Sequence, residues 1–173
     1  MRALATAMIS LILIFGLAAQ DVFAQSLRDA REEVRRGEWT VAFGNKITER
    51  EAYRGEVEPG LSVFNSNRRD IRDWADRMLD RTMNEFDSKF GSRDNFLRQD
   101  RSSQRDVRKF FVNTVRDSLQ SGRERSDVMT IGRLEVKAGV IKYYSRRSDS
   151  KVFVPYLGLR VERDRRHDWR RGY

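Results

Sequence analysis

Residues 134–161, "LEVKAGVIKYYSRRSDSKVFVPYLGLRV", alternate apolar and polar side chains on both sides of a charged centre. Leu134, Val136, Ala138 and Val140 keep one parity, and Val152, Val154 and Tyr156 keep a matching one, the period of two expected of β-strands. "RRSDS" between them has the composition of a loop, so the stretch predicts a long antiparallel hairpin. Each strand then changes parity, to Ile141 and Tyr143 beyond Gly139 and to Leu157, Leu159 and Val161 around Gly158. The two glycines are nearly equally far from the middle of the loop, which predicts that they face each other at a paired bulge or bend. The competing reading turns the chain at "KAG" (137–139) and makes a three-stranded meander. Pro155 has no amide donor, so its strand is expected at a sheet edge or bulged there.

Two helices precede this region. Asn67 with Asp70 three residues on resembles a capping box, and Ile71, Trp74, Ala75, Met78, Leu79, Thr82, Met83, Phe86 and Phe90 recur at threes and fours until Gly91 supplies a stop. Residues 67–90 therefore predict a helix of about 36 Å at 1.5 Å per residue. Ser103 with Asp106 offers a second cap, followed by Val107, Phe110, Phe111, Thr114, Val115 and Leu119 and a stop at Gly122. A short link makes the two helices antiparallel neighbours, with Trp74 and Phe110 as expected core anchors. Earlier still, "WTVAF" (39–43) alternates as a half-buried strand, and "SLRDAREEVRRGEW" (26–39) carries Leu27, Ala30 and Val34 on one stripe of a short helix. Between 44 and 59 the period fades into a charged, turn-rich stretch. The order of elements predicts an α+β fold: two long amphipathic helices packed on a small antiparallel sheet with a long bent C-terminal hairpin.

Residues 1–24 have the layout of a secretory signal peptide: Arg2, an apolar run from Ala3 to Ala19, and small-residue spacing at Val22 and Ala24. Cleavage is expected after Ala24, leaving one α+β domain over 25–162 and a basic aromatic tail over 163–173. A retained anchor is the rival reading, and it too places the body outside, since positive flanks stay in the cytoplasm. The protein is accordingly expected in the bacterial periplasm or secreted. The chain has no cysteine, which excludes disulfides, thiolate metal sites and a thiol nucleophile.

Enzyme signatures are absent. His167 is the only histidine, so neither a two-histidine metal site nor a Ser-His-Asp triad has a candidate, and it reads as a solvated tail residue. No phosphate-binding loop, dinucleotide fingerprint or nucleophile elbow occurs. Asp73, Asp76 and Asp80 share a helix face with Arg77 and Arg81 and read as an exposed ladder of ion pairs. No catalytic residue, metal ligand or cofactor is therefore assigned.

Charge is the feature that goes beyond an ordinary surface. The chain carries 35 Lys and Arg against 26 acids, and all but six of the 35 are Arg, whose planar fork binds phosphate, sulfate and carboxylate bidentately. The excess gathers in two places. One is the hairpin loop, with Arg146, Arg147 and Lys151 beside Tyr143 and Tyr144; the other is the tail, with Arg163, Arg165, Arg166, Arg170 and Arg171 beside Trp169 and Tyr173. Cations interleaved with aromatic faces suit anionic polymers, because the cations neutralise backbone charge while rings stack. The expected function is an exported, non-enzymatic binding or accessory protein that contacts an anionic polymer, lipid head groups or an acidic protein surface. The alternative is a periplasmic carrier or small enzyme holding a small apolar ligand between helices and sheet.

Overall fold

The computed structural model describes residues 27–91, 95–145 and 149–162. Its elements run α1 (Leu27–Arg35), β1 (Thr40–Phe43), β2 (Ile47–Thr48), α2 (Glu49–Tyr53), β3 (Glu56–Glu58), β4 (Leu61–Ser62), α3 (Arg68–Phe90), a short 3-10 turn (Phe96–Arg98), α4 (Arg101–Ser121), β5 (Arg125–Ile131), β6 (Leu134–Ser145) and β7 (Ser150–Val161). The fold is α+β, with five antiparallel strands in the main sheet and β3 pairing with β4 apart from it.

The long hairpin forms and the chain does not turn at residues 137–139; β5, β6 and β7 do run as a meander, but its first turn lies at residues 132–133. β6 pairs with β7 without a break from Leu134 opposite Val161 to Ser145 opposite Ser150. Gly139 lies opposite Tyr156 and Gly158 opposite Lys137, so the glycines do not face each other and no bulge separates them. They make room for rings instead. A Cβ on Gly139 would collide with the Arg125 carbonyl and stand 2.5 Å from the Tyr156 hydroxyl; on Gly158 it would lie 3.1 Å from Val41 Cγ2 and 3.5 Å from Trp39 Cε3.

The change of parity has a different cause from a bend. From Val152 to Leu159 every residue of β7 is buried, because both faces of the sheet are covered there. Leu134, Val136, Ala138 and Val140 of β6, with Phe153, Leu157 and Leu159 of β7, pack under α3 and α4. Ile141, Tyr143, Val152, Val154 and Tyr156 join the opposite face, with Trp39, Val41, Phe43 and the Ala30 and Val34 stripe of α1. α1 thus adds a third layer to the two expected, and a strand buried on both faces loses its alternation.

Pro155 is also explained without an edge. β7 is central, flanked by β6 on one side and by β1 and then β2 on the other. β1 pairs with Tyr156 to Leu159 and β2 with Val152 and Phe153, so Pro155 faces the gap between them. Gly44 N donates to its carbonyl at 2.8 Å. The nitrogen and carbonyl of one strand residue point the same way, so the missing donor falls where no ladder bond is interrupted.

Asn67 caps α3 as the sequence indicates, its side chain accepting from Arg69 N and Asp70 N, both at 2.9 Å. α4 begins earlier than expected. Asp100, not Ser103, is its N-cap, accepting from Ser102 N at 2.9 Å, while the Ser103 hydroxyl donates to the same carboxylate. Trp74 is 2% exposed and stacks on Phe111 with ring centroids 4.8 Å apart, whereas Phe110, the expected anchor, is only partly buried. The charged residues of α3 pair with other elements more than in a ladder: Asp76 pairs with Arg108 of α4 and Arg77 with Glu58 of β3 at 2.5 Å, while within the helix Arg72 lies 3.8 Å from Asp73.

Candidate anion-binding site

The tip of the hairpin is where the fold gathers exposed cations around an exposed ring. β2 lies beside the start of β7, pairing Ile47 with Phe153 and Thr48 with Val152. Thr48 then caps α2: its hydroxyl accepts from Glu51 N at 3.3 Å, and its own amide donates to the Glu51 carboxylate at 2.7 Å. The bond from the Thr48 amide, and after it one that the Thr48 hydroxyl donates to the same carboxylate at 2.7 Å, hold the Glu51 carboxyl below its ordinary pKa. Ala52 is buried in the core, which turns Arg50, Tyr53 and Arg54 outward.

Thr48, Glu49, Arg50, Tyr53, Arg54 and Ser150 line a broad open depression of about 700 Å³. Tyr53 is 88% exposed. Lys151 Nζ stands 3.5 Å from Glu49 Oε1, and the Tyr144 hydroxyl donates to Asp149, a bond that raises the tyrosine's pKa. The acids at the tip are therefore engaged. The guanidinium groups of Arg50 and Arg54 pair with no carboxylate among the described residues.

Of the residues singled out from sequence, Lys151 and Tyr144 stand exposed at this tip. Tyr143 does not: it points into the core with Ile141 and Val154, because odd-numbered β6 residues face α1, and it offers no contact surface. Arg146 and Arg147 lie outside the described residues, in the connection from β6 to β7. Arg163, Arg165, Arg166, Arg170, Arg171, Trp169 and Tyr173 also lie outside them. The tail follows the far end of β7, a 12-residue strand of about 36 Å at ~3.3 Å per residue. Loop and tail therefore depart from opposite ends of the sheet.

Arg50, Tyr53 and Arg54 escaped the sequence reading, although a signal was present. "TERE" (48–51) carries the Thr-x-x-Glu pattern of a capping box, which marks the start of α2 and with it the outward face. Among the described residues no cluster of acids could hold a metal ion, and no helix is long and apolar enough to cross a membrane. No known protein family matches the chain, and no curated protein or solved structure is significantly similar to it.

At the far end of the sheet, arginine and aromatic residues meet under other conditions. Arg160 lies 4.4 Å over the Trp39 ring, Lys137 Nζ lies 5.7 Å from it, and Trp39 is 7% exposed. Arg160 pairs with Glu135 and donates to the Gly37 carbonyl at 3.3 Å. Burial first, and then the charge of Arg160, lower the Lys137 pKa, with Glu33 opposing. This cluster is closed and its arginine is satisfied.

Proposed function

We propose that the protein is an exported, non-enzymatic binding or accessory protein that engages anionic envelope material through the tip of its hairpin. The observation that carries this reading is the pair of guanidinium groups without carboxylate partners, Arg50 and Arg54, lining one open depression with the exposed Tyr53. A guanidinium fork binds carboxylate or phosphate through two parallel bonds, and an amphipathic ring beside it adds contact area at small entropic cost. The leader pattern of residues 1–24 supports export, and a mature amino terminus at Gln25 is the expected result of sequencing the native protein.

The carrier reading gains no support from the core. Trp74, Phe86, Leu97 and Phe111 are each at most 2% exposed and fill the space between α3, α4 and the sheet. The test of the anion reading is binding of inorganic polyphosphate, and of vesicles containing anionic lipid, measured at several salt concentrations. Arg50→Gln with Arg54→Gln should weaken binding and reduce the slope of log K against log salt by about one unit per lost phosphate contact, ~2 in all. Unchanged affinity and slope would overturn the assignment of the tip.

A further inference from the structure

We infer that the tip site takes an acidic saccharide, a chain of hydroxyl-rich rings bearing carboxylates. This rests on the anion-binding reading and narrows it. Arg50 on α2 and Arg54, the residue that caps its end, line the same depression, and each fork matches a carboxylate. Tyr53 lines the depression with them and presents a flat apolar face with a polar rim. The carbon-bound hydrogens of a pyranose ring make one apolar face of matching size, with hydroxyls around its edge.

Glu49 separates a saccharide from a phosphate polymer. It lines the same depression, together with Thr48 and Ser150; its Oε1 stands 3.5 Å from Lys151 Nζ, and the lone pairs which that ion pair leaves over can only accept hydrogen bonds. Sugar hydroxyls donate to them. A polyphosphate backbone has no hydroxyl to donate to that carboxylate and meets it with like charge alone, so it is held less tightly. The depression is open at its sides, so a polymer can pass across it with one ring on Tyr53.

Calorimetry should compare four probes: tetragalacturonate, its fully methyl-esterified form, inorganic polyphosphate and oligothymidylate. Tetragalacturonate is expected to bind at least about tenfold tighter than the other three, the scale of a charge-assisted bidentate contact. Tyr53→Ala should weaken it about three- to tenfold, as for loss of a ring contact, while Tyr53→Phe keeps most of the affinity. Arg50→Gln with Arg54→Gln should abolish the preference over the methyl ester. All three side chains are exposed, and an unchanged circular dichroism spectrum confirms that each variant is folded. Polyphosphate or oligothymidylate binding as tightly as tetragalacturonate overturns the saccharide assignment and leaves the anion reading standing. Failure of every polyanion to bind overturns both.

Discussion

The two ends of the sheet combine the same residue types to opposite effect. At the far end, Trp39 is buried beneath Arg160 and Lys137, and Arg160 is satisfied by Glu135 and by the Gly37 carbonyl. At the hairpin tip, Tyr53 stands in solvent and lines a depression with two arginines that have no carboxylate partner among the described residues. An arginine beside an aromatic ring is thus no site in itself. Burial and pairing divide a cluster that holds the fold from one that is available to a ligand.

The comparison breaks first at Trp39. Its replacement by alanine should cost about 3 to 5 kcal/mol of stability, the usual range for a buried Trp, as read by chemical denaturation. A loss under ~1 kcal/mol would mean that the far end is not the closed cluster described. Gly139→Ala comes next, because the added methyl meets the Arg125 carbonyl and the Tyr156 ring. Overpacking of this kind costs roughly 1 to 3 kcal/mol, and a neutral substitution would contradict the ring-over-glycine contact.

Tyr156 sharpens the contrast through pH. Burial pushes its phenol above the ordinary value, the charges of Glu124 and Asp127 add to the rise, and a hydrogen bond with Ser126 opposes it. An unfolded tyrosine ionises near pH ~10, so between that value and the higher folded one the native state holds the extra proton. Stability should fall as pH rises through this window. Tyr156→Phe should remove that part of the slope in denaturation curves, and a slope unaltered by the substitution would place the phenol in solvent. The smallest effect is expected at the tip, where Tyr53→Ala should change stability by no more than ~0.5 kcal/mol, as at other exposed positions. A larger loss would make Tyr53 structural.

The helices were legible because capping and period agree in them: Asn67, the threes and fours, and Gly91 give α3 to within a residue. The strand pairing was legible from the charged centre of 134–161, but the cause of its parity change was not. A shift of apolar positions reads alike for a bend and for a second buried face, and α1 decides it from more than a hundred positions away. The same tertiary fact hides Tyr143 while leaving its neighbour Tyr144 exposed. Of the candidate site little was legible: none of the residues lining the depression was singled out from sequence, and Lys151 meets it through its ion pair with Glu49. Arg50, Tyr53 and Arg54 reach the tip only through the pairing of β2 with β7.

The claim that the tip is the ligand surface is tested most directly by NMR titration of the isotope-labelled protein, with tetragalacturonate and separately with inorganic polyphosphate. The amide shifts that move with ligand should belong to residues 48–54 and 149–151, while those of Gly37, Trp39 and Arg160 stay in place. Shifts confined to the far end, or to residues beyond Glu162, with Arg50, Tyr53 and Arg54 unmoved, would contradict that claim.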